Sequence, residues 1–312
     1  MRRKRLKHQL EWNESGAIKN APDIESIKLL QFYEGAALHA DPRGYCVCTS
    51  EGKDSRVLGH LMRRAGVKHF YLHSITGIDP PELVYFQRAN FQKYRDMGYL
   101  TYDVMYEMSM WALCRKKGML PTRQIRFCCE ALKERPAPEC GKAFKSMGVR
   151  KFESKNRMKK RNELEIVAHG RAGKNIIMPF DNSENRRTFE QCYANAERRV
   201  NPIAYWTDSD IWSYSKDVGI KQCSLYNEGF TRLGCIGCPM ARRAAREQEF
   251  RRWPKFKAQY LRTAQYIVDD KSDKHCFKQE FKSGQEYFDW WMQDRTQEEV
   301  DNNQMDVWEE WR

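Results

Sequence analysis

The sequence has no apolar run approaching the roughly 20 residues that a membrane-crossing helix needs, so no embedded segment is expected. Its basic opening, Met1-Arg2-Arg3-Lys4-Arg5-Leu6-Lys7, lacks the apolar stretch of a secretory leader, so a cytoplasmic location is expected. Internal repeats and low-complexity tracts are absent, and so is the Gly-x-x-x-x-Gly-Lys-Ser/Thr loop of the usual nucleoside triphosphatases. Acidic residues are in the minority: 42 Asp plus Glu against 55 Lys plus Arg leave a formal charge of +13. That balance points to a polyanionic partner, a nucleotide or nucleic acid, against the alternative of an ordinary basic surface.

What is present is a globular composition, with 41% hydrophobic and 31% charged residues over 312 positions. That length suffices for one α/β domain with an appendage, or for two domains. Three segments are expected: a partly helical lead-in over 1–40, a nucleotide-binding α/β domain over 41–205, and a mainly helical region over 206–312. Gly44–Cys48 reads as a strand, and Val57, Leu58, Leu61, Met62 and Ala65 recur at helical spacing up to Gly66. Phe70–Leu72 reads as a second strand, followed by a helix with Asp79 as N-cap, Pro80 first and Glu82 third. Further helices are expected at 110–117 and across Cys128 and Cys129, and a strand at 164–167. From Thr207 onwards the pattern is helical, with Asp208 and Asp210 in a first turn and Ser283 and Glu286 in capping register. Alternating strand and helix is the rhythm of a parallel sheet.

Ser50-Glu51-Gly52-Lys53-Asp54-Ser55 lies between the first strand and its helix. The first amides of a helix have no internal partners and point at whatever lies over its N-terminus, a natural anion site. Gly52 permits close backbone approach, Ser50 and Ser55 offer hydroxyls, and Lys53 brings a point charge. Asp54 belongs there beside Mg²⁺ or as a cap. The hexapeptide fits the Ser-x-Gly-x-Asp-Ser pattern of pyrophosphate loops, which hold β,γ-phosphates while chemistry occurs at the α-phosphorus. The competing reading is a polar turn that caps a helix.

Eleven cysteines without an export signal point to metal or reactive thiols rather than disulfides. Cys128-Cys129 and Cys235-x-x-Cys238 form two tight pairs, and four thiolates suit a [4Fe–4S] cluster or Zn²⁺. Cys223 is an alternative ligand; buried free cysteines or a redox-active Cys-x-x-Cys are the other readings.

Together with the loop, several segments resemble the phosphoadenosine phosphosulfate reductase family of adenine-nucleotide α-hydrolases, in order over residues 40–295. They are Thr76–Phe86, Met110-Trp111, Pro121-Thr122-Arg123, Arg126-Phe127-Cys128-Cys129, and Gly148-Val149-Arg150 with Glu153, Ser154 and Arg157. Asn201-Pro202-Ile203, Trp206-Thr207-Asp208, Trp212, Leu225–Phe230 and Gly234–Met240 complete the set. The resemblance implies an α/β fold, a Rossmann-like, mostly parallel sheet flanked by helices with a helical C-terminal region, binding an adenine nucleotide at the strands' carboxyl ends. It implies ATP with Mg²⁺ on Ser50, Glu51, Gly52, Lys53, Asp54 and Ser55, with Lys53 and Asp54 catalytic. It places Asp79 near the nucleoside and Gly148 in the nucleotide motif. Arg150 is expected on an anionic group, held by Glu153. Trp206, Thr207 and Asp208 read as structural. Adenylylsulfate reductases of this family hold a [4Fe–4S] cluster on an adjacent cysteine pair plus Cys-x-x-Cys, which favours iron–sulfur over zinc at Cys128, Cys129, Cys235 and Cys238.

Two departures matter. The family's C-terminal Glu-Cys-Gly nucleophile is missing, Cys276 being the only late cysteine, and Glu51 stands where members usually carry Gly. The expected activity is therefore ATP cleavage to AMP and pyrophosphate, or adenylyl transfer, in sulfur transfer or nucleic-acid modification. Lys151–Arg161 and Arg242–Arg262 are candidate basic surfaces for a nucleic acid. The alternatives are a thiol-dependent sulfonucleotide reductase using Cys276, and a nucleotide-binding accessory subunit of a nucleic-acid defence or mobile-element complex.

Overall fold

A computed structural model of the chain describes residues 11–12, 18–19, 22–134, 138–153, 155–167, 175–178, 197–270 and 281–293. The element order begins with an antiparallel pair, β1 (Glu11–Trp12) and β2 (Ile18–Lys19), and helix α1 (Pro22–Ala40). There follow β3 (Tyr45–Cys48), α2 (Lys53–Ala65), β4 (His69–Ile75), α3 (Pro81–Asp96), β5 (Thr101–Met105) and α4 (Met110–Lys117). The short helix α5 (Phe127–Cys129) runs on as a π turn, and then come β6 (Lys145–Met147) and α6 (Lys155–Lys160). The remainder is β7 (Leu164–Val167), β8 (Asn175–Met178), β9 (Glu197–Val200), α7 (Asp208–Asp217), α8 (Arg243–Arg252), α9 (Pro254–Asp269) and α10 (Gly284–Trp291).

Seven strands form one sheet in the order β5-β4-β3-β6-β9-β7-β8. The pairs β3–β4, β3–β6 and β6–β9 are parallel, whereas β7 runs antiparallel to both β8 and β9. The expected mostly parallel α/β sheet is thus present, with an antiparallel flank that apolar content alone did not distinguish. On one face, Tyr45 and Val47 of β3, Tyr71 of β4 and Val200 of β9 pack with Val57, Leu58, Leu61 and Met62 of α2. These alternate positions share a face because strand side chains repeat every two residues.

The chain divides into two compact units whose segments interleave along the sequence. The first comprises 1–73, 85–103 and 136–232; the second comprises 74–84, 104–135 and 233–312. Within the second unit, Tyr260 of α9 stacks on Trp291 of α10 with ring centroids 5.0 Å apart.

Several boundaries follow the expected chemistry. Gly66 and Gly118 end α2 and α4 in left-handed conformation, and Thr207 and Asp210 make a reciprocal capping box on α7. One start differs: α3 begins at Pro81, one residue later than expected, so Pro81 takes the first helical position and Asp79 is not the N-cap. Asp79 Oδ2 instead accepts a hydrogen bond from Thr76 Oγ1 at 2.5 Å. Glu82 accepts from Arg252 and from the Trp253 indole, at 2.7 and 3.1 Å.

Candidate functional site

In the first unit, the parallel neighbours β3 and β6 end side by side, and each empties into a loop carrying expected site residues. Crevices at the carboxyl ends of adjacent parallel strands are where α/β folds take ligands. The loop after β3 leads into α2, whose N-cap, Gly52, makes no side-chain capping bond. The Lys53 amide donates to the Tyr226 hydroxyl at 2.9 Å. Among the described residues, the amides of Asp54 and Ser55 have no hydrogen-bond acceptor. The loop after β6 lies hard against this turn. A Cβ on Gly148 would stand 3.1 Å from the backbone of Asp54 and of Ser55, tighter than an ordinary contact, so the approach favours glycine.

Two cations and two carboxylates converge there. Lys53 Nζ lies 2.8 Å from Asp208 Oδ1 and 3.1 Å from Asp54 Oδ2. The Arg150 guanidinium is 2.7 Å from Asp208 Oδ1 through one terminal nitrogen and 2.7 Å from Asp54 Oδ1 through Nε. The Nε contact is close but misaligned, which leaves this buried donor without a hydrogen bond among the described residues. Lys53 and Arg150 are buried, whereas the Asp208 side chain is 69% exposed. The Lys53 hydrogen bond, with the charges of Lys53 and Arg150, holds the Asp208 carboxyl below its usual range. A cavity of about 270 Å³ opens beside this group, lined by Lys53, Asp208, Trp212, Tyr226 and Phe230 among others. Burial pushes the Tyr226 phenol up, so it remains a neutral partner for the Lys53 amide.

The expected residues fare differently. Gly52, Lys53, Asp54, Ser55, Gly148 and Arg150 meet in one place. Ser50 is exposed on the loop, and the Ser55 hydroxyl donates back to the Gly52 carbonyl at 3.0 Å. Glu51 neither faces solvent nor is left free: it is 1% exposed, with its carboxylate accepting from Thr49, Asn90 and Arg56. Glu153 pairs with Arg157 rather than holding Arg150, whose carboxylate partners are Asp54 and Asp208. Arg157 is pushed down to about 10, first by burial and then by the like charges of Arg232 and Arg161. Asp208 corrects the structural reading of Trp206, Thr207 and Asp208. Trp206 donates its indole to Ser26 and Thr207 caps α7, but Asp208 turns to the loop cations. Tyr226, quoted only as part of a motif, also belongs to the site.

In the second unit, Cys128 and Cys129 lie on α5, while Cys235 and Cys238 lie in a turn that Gly237 makes at φ 72°. The turn is anchored by hydrogen bonds from the Ile236 amide to the Ile78 carbonyl (2.8 Å) and from the Gly237 amide to Glu249 (2.7 Å). The Cys128 thiol feels Cys129, Cys235 and Cys238, so the other three thiols lie within its electrostatic reach. Its hydrogen bond with Cys129 pushes Cys128 up and pulls Cys129 down to about 6, helped by Lys133 and Arg126. Burial raises Cys235 to about 11, and Lys133 is hydrogen-bonded to it. The donor chemistry suits a thiolate-bound metal, yet among the described residues no group of three or more His, Cys, Asp or Glu is arranged to hold one. Asp79 lies in this unit, within electrostatic reach of Lys133 and Cys235. Cys223 belongs to the first unit, where it is buried at the head of the turn carrying Tyr226. Cys276 lies outside the described residues.

The candidate basic surfaces are only partly surfaces. Arg246 is 2% exposed and donates to the carbonyls of Trp291 and Met292, ending α10. Arg161 pairs with the buried Glu165 at 2.7 Å. No helix among the described residues is long and apolar enough to cross a membrane.

An uncharacterised protein of Methanocaldococcus jannaschii is 27% identical over 209 residues, covering 64% of this chain and 43% of that protein. An adenosine 5′-phosphosulfate reductase of Burkholderia cepacia is 33% identical over 64 residues, 20% of this chain and 26% of that enzyme. The matched stretch thus spans less than half of either relative. A phosphoadenylyl-sulfate reductase from Candida auris, solved with phosphate, superposes with a TM-score of 0.45 at 13% identity, over 72% of this chain and 97% of the other. The model of the phosphoadenosine phosphosulfate reductase domain matches residues 44–241, well over half of the sequence, and the chain belongs to that family.

Proposed function

We propose that the chain binds ATP with its terminal phosphates over the N-terminus of α2 and cleaves the α–β phosphate linkage. An oxygen nucleophile, water or an acceptor hydroxyl, attacks the α-phosphorus. The bond from that phosphorus to the bridging oxygen breaks, and the electron pair leaves with pyrophosphate. The product is AMP with water, or an adenylylated acceptor otherwise.

The observation that carries this reading is the first turn of α2, where the amides of Asp54 and Ser55 have no acceptor among the described residues and lie beside Lys53 and Arg150. Amides, a helix N-terminus and two fixed cations stabilise charge developing on a pyrophosphate leaving group without reorganising. Arg150 Nε, buried and without a hydrogen bond, is a further donor for a phosphate oxygen. Asp208 pairs with the same two cations, so phosphate binding would displace an exposed carboxylate. Asp54, at the mouth of the loop, is the candidate ligand for Mg²⁺, which would neutralise phosphate charge when bound.

Cys128, Cys129, Cys235 and Cys238 are the residues that would hold a [4Fe–4S] cluster, or alternatively Zn²⁺. A cluster, when bound, supplies electron-transfer or Lewis-acid chemistry. Family membership and the basic charge support an acceptor in sulfur transfer or nucleic-acid modification. The test is anaerobic purification, incubation with Mg-ATP and chromatography of the products. AMP with pyrophosphate is expected; ADP with phosphate overturns the reading.

A further inference from the structure

Glu51 combines features that oppose one another. Its backbone lies at φ 54°, the sole non-glycine residue at positive φ among those described. A Cβ disfavours that region by about tenfold. Its carboxylate is also almost wholly withdrawn from water, and burial pushes its pKa up against the pull of Arg56. Such a group is retained only where its surroundings compensate it.

The compensation is visible. Oε1 accepts from Thr49 Oγ1 at 2.9 Å, and Oε2 accepts from Asn90 Nδ2 at 3.0 Å and from Arg56 at 3.2 Å. Thr49 Oγ1 in turn accepts from the Glu51 amide at 3.0 Å. Arg56 also donates to the Tyr94 hydroxyl at 2.6 Å. One carboxylate therefore ties the exit of β3 to α2 through Arg56 and to α3 through Asn90. The Glu51 carboxylate pairs with Thr49, Asn90 and Arg56, and not with Lys53 or Arg150.

We propose that Glu51 is a positioning residue. It locks the second position of the loop into a left-handed turn, so that the amides of Asp54 and Ser55 and the Lys53 ammonium present themselves to phosphate. It does this without touching nucleotide or metal. The inference rests on the reading of this loop as the phosphate site. Glycine would adopt φ > 0 at this position unaided.

The test is calorimetric titration of the full chain with Mg-ATP and with inorganic pyrophosphate, alongside the ligand-free thermal midpoint. Glu51→Ala keeps the Cβ and loses every hydrogen bond of the carboxylate, and is expected to weaken both ligands about tenfold. Glu51→Gly loses the same hydrogen bonds but relieves the backbone, and is expected to return affinity to within about threefold of the native chain. Its thermal midpoint is expected to stay as low as that of Glu51→Ala, because Arg56 and Asn90 lose the buried carboxylate in both. Asn90→Ala, which removes a single donor, is the milder arm, with an expected loss of about threefold. Equal affinities for the alanine and glycine variants overturn the proposal, as does native affinity in Glu51→Ala and Asn90→Ala. Lys53→Ala separates the two readings. If it binds as the native chain does, the phosphate site itself is wrong and the inference falls with it. If it loses affinity while the Glu51 and Asn90 variants bind normally, only the role of Glu51 is wrong.

Discussion

Asp208 and Lys53, 155 residues apart in the chain, meet at 2.8 Å through a carboxylate oxygen and an ammonium nitrogen. The same oxygen also accepts from Arg150. An exposed acid at the start of α7 thus occupies both cations that the loop would offer to phosphate. Removing the Lys53 ammonium by Lys53→Ala is expected to weaken pyrophosphate and Mg-ATP binding by about ten- to a hundredfold, the worth of a charge-assisted contact. Titration calorimetry at fixed salt measures this, and native affinity would show that phosphate binds elsewhere.

Asp208→Asn is expected to act in the opposite direction. With the competing charge gone, pyrophosphate without metal should bind about two- to fivefold more tightly, a small gain because Asp208 is solvent-screened. The gain should vanish in high salt. Since Asp208 is held below its usual range, the native competition should persist as pH falls through the ordinary carboxylate range and be lost only below it. Weaker binding by Asp208→Asn would make the acid a partner of the ligand rather than its competitor.

Gly148→Ala probes the close approach of the loop after β6 to α2. Its Cβ would press on backbone at 3.1 Å, which a flexible side chain cannot relieve. A loss of about 1–3 kcal/mol in chemical denaturation is expected, with weakened ATP binding. Full stability and full binding together would mean that the two loops separate freely.

His69 should make the protein acid-sensitive. It stacks on Tyr99 with centroids 4.6 Å apart, and burial pushes its pKa down to about 4. The unfolded chain takes up its proton near 6.5, before the folded chain does. Stability is therefore complete above about 6.5 and is lost as pH falls towards 4, by at most about 3 kcal/mol. His69→Gln should flatten that slope in urea denaturation measured between pH 7 and 4.5. An unchanged slope would assign the acid sensitivity to other groups.

For the cysteines, Cys235→Ser is expected to lower the iron or zinc content of anaerobically purified protein, and Cys223→Ser to leave it unchanged. Elemental analysis with visible absorption distinguishes iron–sulfur from zinc. Metal content unaffected by Cys235→Ser would remove that residue from the ligand set.

Local features were legible from the order of residues. Apolar spacing and terminal glycines gave α2 and α4, the capping pattern gave α7, and alternation of strand and helix gave a mostly parallel sheet. These are short-range choices, decided by backbone sterics and by hydrogen bonds within a few residues. The order of residues also marked Lys53 and Asp54, because a phosphate loop is built from contiguous residues, whereas Gly148 and Arg150, far along the chain, were marked by the family resemblance. Long-range folding brought Asp208 to Lys53, Tyr226 to the Lys53 amide and the Glu51 carboxylate to Asn90. Each of these contacts joins elements distant in sequence, and no periodicity or cap encodes which of several exposed acids and hydroxyls a strand order will carry to the loop. The antiparallel flank of β7 likewise arose from pairing, since a short apolar strand buries its face equally well in either direction.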